Sequence, residues 1–349
     1  MAEQKALVLD APKGSFVVST RTVPKPAAGE LLVKVQAAGL NPVDWKIQEY
    51  DIVVKEYPAV LGSDVAGDVE EVGEGVQGWK KGDRIYFQGG YTNDHAAFQQ
   101  YTLISADLAG KIPERYTYSQ AASISVAFNC AVFGLYAPRP IGIALNPTFD
   151  PTVKFTGQPA LVIGGSTSVG QYVVQLLRQL SFSPVIVYAS SAYESYLREL
   201  GATHIIDRHS VSFADLPSAV SDILSNTTSS PLKVAFDAFS SYEAQKAAYD
   251  SLADGGDMII VNQERLKTED KVGNEKKVLA VVGTVHFPHT KEWGAQLWKV
   301  LSKWVEDGVI VPSRVEDLPN GLLGIAEGLK RLKNGVSGVK LIGHPQDGL

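Results

Sequence analysis

Cysteine is almost absent from this chain, since Cys130 is the only one among 349 residues. A single thiol excludes an internal disulfide framework and any zinc site built from several cysteines. The sequence also contains no apolar run of the length that a membrane-spanning helix needs, and its first residues lack the apolar core of a signal peptide. We therefore expect a cytoplasmic protein that has no membrane partner.

Positive charge is not in excess either. The chain has 32 Lys and Arg against 38 Asp and Glu, which gives a net charge of -6 and argues against a nucleic-acid partner. Hydrophobic residues make up 45% of the sequence, which suffices for well-packed cores. The length predicts two domains, with three as the alternative.

The chain changes character along its length. Short β-type runs separated by Gly, Pro and Asp extend from Lys5 to about Pro113 and predict a compact β-rich module. A helical stretch from Ser119 to Tyr136 and a proline-rich connector over 137–159 follow. From Ala160 onward, aliphatic strands alternate with helices, a pattern typical of a parallel sheet covered on both faces. The expected strands are Leu161–Ile163, Val185–Ala189, His204–Asp207, Val234–Ala238, Met258–Val261 and Leu279–Val282. The fold class is therefore α/β, and we expect the strand-like Val339–Gly343 to complete the first module.

A glycine-rich turn follows the first aliphatic strand of this second part. The strand Leu161–Ile163 leads into the turn, and a helix with apolar residues at helical spacing follows it. Glycines allow a tight turn and a close approach of the backbone, and the N–H groups of the helix start can bind a pyrophosphate. The order strand, turn, helix favours a dinucleotide site over an ordinary βα turn. Its residues are Gly164, Gly165, Ser166, Thr167, Ser168, Val169 and Gly170.

The residues after the second strand indicate which dinucleotide binds. Sites for NAD usually carry an acidic residue there, whereas this chain has Ser190 and Ser191 and no acidic residue until Glu194. Both serines can donate to a 2′-phosphate, and Arg208 after the third strand supplies a cation. NADPH is therefore the expected cofactor. An alternative is that the serines cap the helix that begins near Tyr193, and both roles are compatible.

Several short motifs together resemble the medium-chain dehydrogenase/reductase superfamily over nearly the whole chain. The order and spacing of these motifs are specific, although each is short. They are Gly39–Asp44, Pro58–Gly67, Val72–Val76, Lys81–Arg84, Gly164–Gly170, Leu200–Ala202, Phe236–Ala238 and Ser337–Leu341. The resemblance implies a GroES-like catalytic domain split over 1–127 and 291–349, around a Rossmann NADPH-binding domain over 128–290.

Within this superfamily the chain does not resemble the zinc alcohol dehydrogenases. Asn41 stands where those enzymes have a cysteine ligand, and Ser63 stands where they have a histidine ligand. Neither side chain is a ligand of the kind that zinc prefers, so we expect no metal. The chain is most similar to the zinc-independent quinone oxidoreductases and to the trans-acting enoyl reductases of fungal polyketide pathways.

The resemblance also implies catalytic residues near the nicotinamide end of the cleft. Asn41 is expected to donate to cofactor or substrate, Lys46 to stabilise an enolate or bind a carrier's phosphate, and Tyr50 to donate a proton. Asp44 lies between them in the motif. Two simpler roles stay open, because Asp44 is equally suited to fixing the loop and Lys46 to remaining a solvated surface charge.

Cofactor contacts follow from the same resemblance. Thr167, Ser168 and Val169 are expected at the pyrophosphate, and Ser190, Ser191, Tyr193 and Arg208 around the adenosine phosphate. Gly283 and Thr284 are expected near the carboxamide of the nicotinamide. Further expected contacts are Phe239, Lys340 and Cys130, although a lone thiol on an apolar helix is more often a packed small hydrophobe.

These features favour an NADPH-dependent, metal-free reductase. It would transfer hydride to the β-carbon of an activated C=C bond in an enone or an enoyl thioester, as a free small molecule or bound to a carrier. The alternatives are an NADPH:quinone oxidoreductase and a non-catalytic NADPH-binding scaffold. The sequence leaves the choice between monomer and homodimer open.

Overall fold

The computed structural model describes residues 2–271 and 275–348. This part of the chain forms two compact units, one comprising Met1–Val126 and Thr284–Leu349 and the other Ala127–Gly283. Its strands are β1 (Glu3–Leu9), β2 (Phe16–Thr22), β3 (Glu30–Gly39), β4 (Ala59–Val60), β5 (Asp64–Val72), β6 (Arg84–Gln88), β7 (Tyr101–Ser105), β8 (Ala109–Lys111), β9 (Ala160–Ile163), β10 (Val185–Ala189), β11 (His204–Asp207), β12 (Val234–Asp237), β13 (Asp257–Ile260), β14 (Lys277–Ala280), β15 (Val315–Asp317) and β16 (Lys340–Gly343). Its α-helices are α1 (Pro42–Tyr50), α2 (Tyr118–Ala121), α3 (Ser125–Tyr136), α4 (Ser168–Gln179), α5 (Glu194–Leu200), α6 (Leu216–Thr227), α7 (Tyr242–Ser251), α8 (Lys291–Glu306) and α9 (Gly321–Lys333).

The first unit contains two sheets. A three-stranded sheet has the order β2-β1-β4, and a larger sheet has the order β15-β16-β3-β5-β6-β8, with β7 also paired to β3. Strand β16 runs antiparallel to β3 with Ile342 opposite Gly39, while Gly39 also faces Asp64 of β5. The C-terminal strand therefore completes the sheet of the N-terminal module and lies beside the start of α1.

The second unit is built on one six-stranded sheet. Its order is β11-β10-β9-β12-β13-β14, and every pair in it is parallel. All residues of β9 and β10 are buried, as expected for strands with helices on both faces. The strands that follow β9 are added first on one side of it (β10, β11) and then on the other (β12, β13, β14). Ligands of such sheets bind at the carboxyl ends of the strands beside the point where this order switches.

This architecture confirms the α/β fold class, and the six strands expected after Ala160 all form within one residue or two of their expected bounds. Other details differ. The expected continuous helix over 119–136 is two helices, because Ser123 and Ile124 turn back to bond the carbonyls of Gln120 and Ala121. Helices α1 and α7 were not expected from the sequence.

The boundary between the units also differs from the expected one at residue 290. The second unit ends at Gly283, seven residues earlier. The reason is visible in the hydrogen bonds, since Val285 N–H donates to Oε1 of Gln88 (3.1 Å) and the His286 ring bonds the Gln88 carbonyl (2.8 Å). In the described residues, none of the helices has the length and apolarity needed to span a bilayer.

Candidate functional site

The turn between β9 and α4 is held by its own backbone. Gly164 has a φ of +77°, a conformation that disfavours residues with a side chain. Thr167 caps α4, with its hydroxyl accepting the N–H of Gly170 at 3.0 Å. The N–H groups of Ser168 and Val169 lie in the first turn of α4, where helix geometry provides no intrahelical acceptor. They are therefore available to an anion.

Two glycines of this turn are required by close packing. A Cβ on Gly165 would lie 2.1 Å from Cγ1 of Val187, and one on Gly170 would lie 2.3 Å from the carbonyl oxygen of Gly164. The turn therefore presses against β10 while α4 begins directly above it. This is the shape that lets a pyrophosphate approach the main chain, so the turn fits a dinucleotide.

The edge formed by the ends of β10 and β11 contains a carboxylate that we did not expect there. Ala189 pairs with Asp207, so Asp207 stands beside the residues that follow β10. Its two oxygens accept the Ser191 N–H (3.2 Å), the Ser191 hydroxyl (3.0 Å) and the His209 N–H (3.2 Å). The hydrogen bond from His209, together with those from Ser191, lowers the pKa of Asp207. The expectation that no acidic residue stands at this edge before Glu194 holds for the sequence order. It is wrong for the structure, because strand pairing brings Asp207 to the same edge.

The other expected residues at this edge have distinct settings. Ser190 is buried, and its hydroxyl accepts the Ala192 N–H at 3.4 Å. This serine therefore caps the short 3₁₀ turn Ser191–Tyr193, which is the alternative role expected from the sequence. Tyr193 is half-buried at the end of that turn. The Arg208 side chain is exposed, and its guanidinium has no hydrogen-bond or ion-pair partner in the described part of the chain. A cation without a hydrogen-bond or ion-pair partner in the described residues thus directly follows the last residue of β11.

The end of β12 lies beside the glycine turn. A Cβ on Gly164 would be 3.3 Å from Cβ of Phe239, whose side chain is 54% exposed. Asp237 is fully buried, and one of its oxygens accepts the N–H groups of Phe239 (2.9 Å) and Ser240 (2.8 Å). Burial raises the pKa of Asp237 to about 6, against the opposing effect of these hydrogen bonds. The carboxylate shapes the loop that presents Phe239.

The remaining expected cofactor contacts divide between the units. Gly283 lies against the backbone of Cys130, since a Cβ there would be 2.4 Å from the Cys130 nitrogen. Thr284 belongs to the first unit, where it is 2% exposed and its hydroxyl accepts the His286 N–H at 3.3 Å.

In the first unit, a buried ion pair meets the start of α1. The Lys340 ammonium bonds Oδ2 of Asp64 at 2.7 Å and Oδ1 of Asn41 at 2.6 Å. The Asn41 amide nitrogen donates to the same Asp64 oxygen at 2.8 Å, and the other Asp64 oxygen accepts the Val126 N–H at 2.7 Å. Asn41 and Lys340 were expected at the site from the sequence, whereas Asp64, which lies within the motif Pro58–Gly67, was not.

Asp44 closes the first turn of α1 beside this ion pair. It has no exposed surface, and its Oδ2 accepts the N–H of Asn41, the N-cap residue, at 2.8 Å. Burial raises the pKa of Asp44 to about 7, although the hydrogen bond from Asn41 and the charge of Lys340 oppose the rise. Two carboxyl groups therefore share one buried cation, and the one without a bond to that cation holds a proton near neutral pH.

Lys46 and Tyr50 are not part of this cluster. The Lys46 ammonium lies 5.7 Å from the centre of the Trp45 ring, and the Tyr50 ring is 6.2 Å from the same ring. Tyr50 is 55% exposed. The structure thus brings together Asn41, Asp44 and Lys340, and places the half-buried Lys46 and the exposed Tyr50 near Trp45.

The positions that the family resemblance assigns to zinc ligands are occupied here by Asn41 and Ser63. In the part of the chain that the structure describes, no three His, Cys, Asp or Glu side chains are grouped so as to hold a metal ion. Asn41, which stands at a ligand position, is already bonded to an ammonium group.

Comparisons with known proteins bear on both units. The family model described as the alcohol dehydrogenase GroES-like domain matches residues 27–114, and the one described as zinc-binding dehydrogenase matches residues 168–300. These matches confirm the GroES-like character expected for the first module.

Whole-chain relatives give the same picture. A trans-enoyl reductase, resD, of Aspergillus sclerotiorum is 30% identical and the match covers 97% of this chain and 99% of the relative. A zinc-type alcohol dehydrogenase-like protein of Schizosaccharomyces pombe is 29% identical over the same shares of the two chains. The solved structure of the quinone oxidoreductase from Coxiella burnetii superposes with a TM-score of 0.73 at 22% identity, covering 98% of this chain and 99% of that one.

The resemblance inferred from the motifs is thereby confirmed. These relatives match the chain along nearly its whole length. The chain belongs to the medium-chain dehydrogenase/reductase family, whose members are oxidoreductases that bind a nicotinamide cofactor.

Proposed function

We propose that this protein is an NADPH-dependent reductase that acts without a metal on an activated C=C bond, in an enone or an enoyl thioester. The observation that carries the proposal is the buried Lys340–Asp64–Asn41 contact, which puts a lysine ammonium beside a position where zinc enzymes of the family have a ligand. The similarity to a trans-enoyl reductase over 97% of the chain supports the reaction class.

Charge at the edge of the sheet supports NADPH over NADH. The 2′-phosphate needs a cation, and the unpaired guanidinium of Arg208 provides one. Asp207 opposes an anion there, but its oxygens already accept three hydrogen bonds from Ser191 and His209. It is therefore poorly placed to accept the ribose hydroxyl of NADH, which is the usual task of an acid in this region.

The proposed cofactor contacts lie in the second unit, apart from Thr284, which belongs to the first. The first-turn N–H groups of Ser168 and Val169 bind the pyrophosphate, while Arg208 and Ser190 bind the adenosine phosphate. The remaining proposed contacts are Gly164, Gly165, Ser166, Thr167, Gly170, Ser191, Tyr193, Phe239, Gly283, Thr284 and Cys130. When bound, the reduced nicotinamide supplies the hydride that adds to the β-carbon of the alkene.

The protein's part in the reaction is to orient the acceptor and stabilise the charge that develops on it. Reduction of a conjugated alkene places negative charge on the carbonyl oxygen, and a nearby cation stabilises that charge. Lys46 is our proposed group for this role, and Tyr50 is our proposed proton donor to the α-carbon. Asn41 and Asp44 shape the start of α1, which carries both residues.

A panel of acceptors tests this function. Purified protein is mixed with NADPH and, in turn, with enones, enoyl thioesters and quinones, and the oxidation of NADPH is followed. Turnover of enones or thioesters above quinones supports the proposal, whereas a clear preference for quinones assigns the protein to the quinone oxidoreductases. Tight NADPH binding with no turnover on any acceptor indicates a binding scaffold.

Sedimentation of the same preparation distinguishes a monomer from a homodimer, and fractionation of the producing cells tests the proposed cytoplasmic location.

Cofactor choice is tested separately by calorimetry. Replacing Arg208→Gln removes one charge-assisted hydrogen bond, which corresponds to a loss of about tenfold or more in NADPH affinity with little change for NADH. Arg331→Gln is the matched control, because it removes an equal charge that pairs with Glu316 in the first unit. Equal losses for both cofactors in the Arg208 variant contradict the assignment of the phosphate site.

A further inference from the structure

The Lys340 side chain is enclosed, although the family resemblance suggested that it reaches the cofactor. It is 4% exposed, and both hydrogen bonds of its ammonium go to buried partners, Asp64 and Asn41. A cofactor that drew the ammonium away from Asp64 would leave a fully buried carboxylate without its cation. An unpaired buried carboxylate is strongly unfavourable, so this departure is disfavoured.

The sheet leaves space at Gly39 for the Lys340 side chain. Gly39 of β3 has no side chain, and a Cβ there would lie 3.0 Å from Cε of Lys340 and 3.0 Å from Cβ of Asp64. The lysine therefore passes over Gly39 to reach the carboxylate. The same glycine precedes, by two residues, the N-cap of α1 at Asn41.

The carboxamide of Asn41 has all its strong contacts inside this group. Its oxygen accepts from Lys340, and its nitrogen donates to Asp64 and, at 3.4 Å, to the Gly39 carbonyl. These bonds fix the orientation of the residue at which α1 begins. The main-chain N–H of Asn41 is in turn held by Asp44.

We propose that Lys340 is a positioning residue whose buried ammonium is a built-in cation that joins Asp64 to Asn41 and thereby fixes the first turn of α1. The inference rests on the proposed function, because α1 carries Lys46 and Tyr50. It assigns Lys340 to the geometry of the catalytic segment and removes it from the set of cofactor ligands. Asp64 is the acidic partner in this ion pair.

The first test needs no activity. Lys340→Met keeps the aliphatic stem and removes the charge, and Lys299→Met, on the exposed face of α8, is the matched control. Hydrogen exchange by mass spectrometry is measured on peptides that cover residues 40–50. We expect faster exchange in these peptides in Lys340→Met only, with NADPH affinity within about threefold of the parent, since the change alters local order and not the cofactor contacts. Unchanged exchange in α1, or a large loss of NADPH affinity, overturns the proposal.

The second test uses turnover and a neutral pair. Misplacement of a catalytic segment is expected to lower kcat by about tenfold to a hundredfold in Lys340→Met. The double variant Asp64→Asn/Lys340→Met leaves no unpaired buried charge, so it is expected to regain stability while kcat stays low. Recovery of both quantities means that the ion pair serves stability alone and overturns the positioning role. The double variant also keeps the test decisive where Lys340→Met folds poorly.

The proposed function and the positioning role of Lys340 can be contradicted independently of each other. If the parent protein turns over no acceptor, the proposed function fails, and the exchange and affinity measurements still decide whether Lys340 positions α1. If the parent is active and the exchange of α1 is unaffected by loss of the ammonium, the proposed function stands and the inference about Lys340 fails.

Discussion

Asp44 makes the stability of the first unit depend on pH in a way that one substitution removes. Burial raises the pKa of this carboxyl from its ordinary value to about 7. The folded protein therefore binds a proton at Asp44 that the unfolded chain has already released between about pH 4 and about pH 7. The stabilisation linked to this proton is present at low pH and is lost as the pH rises through 7.

The size of the effect follows from the shift. One pKa unit corresponds to about 1.4 kcal/mol, so a carboxyl that titrates near 7 when folded and near 4 when unfolded loses about 2–3 kcal/mol between about pH 5 and about pH 8. Asp44→Asn keeps an oxygen able to accept the Asn41 N–H and does not titrate. The difference in unfolding free energy between parent and variant should change by this amount across that range.

Tryptophan fluorescence suits this measurement, because all five tryptophans belong to the first unit. Urea unfolding of parent, Asp44→Asn and the control Glu114→Gln, which neutralises an exposed carboxylate, is followed at several pH values. The parent and the control should lose stability together as the pH rises, while Asp44→Asn should stay flatter. Parallel curves for parent and Asp44→Asn would refute the reasoning that this buried carboxyl is protonated near neutrality.

Three further substitutions test single features of the two units. Ser190→Asp should weaken NADPH binding far more than NADH binding, because it adds a negative charge at the proposed 2′-phosphate site, and calorimetry that finds equal changes would remove that assignment. Lys46→Met should lower kcat/KM for enones while the dissociation constant of NADPH stays constant, and full activity would show that the lysine has no part in catalysis. Gly165→Ala places a methyl group 2.1 Å from Cγ1 of Val187, so it should destabilise the second unit by about 1–3 kcal/mol in thermal unfolding and weaken NADPH binding, and an unchanged protein would contradict the tight packing of the turn.

The parts of the fold that depend on local pattern were predictable. Buried parallel strands read as aliphatic runs, so the six strands from Ala160 to Ala280 could be placed from the sequence, and the glycine turn between β9 and α4 followed from its context. Helix α1 was missed because it begins at Pro42 inside a stretch of β-type runs and has a weakly apolar face with only Asp44 and Ile47 buried. Its start is determined mainly by capping contacts.

The acidic partners in both units were missed for a different reason. Asp64 meets Lys340 across 276 positions of sequence, and Asp207 meets Ser191 through the pairing of β11 with β10. The residues next to Asp64 in the sequence do not mark it, because its contact with Lys340 depends on the pairing of distant strands. A carboxylate at the end of a predicted strand was the available signal for Asp207, since neighbouring parallel strands end at one edge of the sheet.

Two basic residues with the same expected role, Lys340 and Arg208, have different surroundings in the structure. Lys340 and Arg208 were both expected to bind the cofactor, yet the Lys340 ammonium is buried on Asp64 and Asn41, whereas the Arg208 guanidinium is exposed and unpaired within the described residues. A buried cation that leaves its carboxylate exposes the protein to a large desolvation cost, while an exposed and unpaired one binds an anion without breaking a bond. On these proposals, Arg208 contributes to phosphate affinity at little structural cost, and the charge of Lys340 acts on the shape of α1.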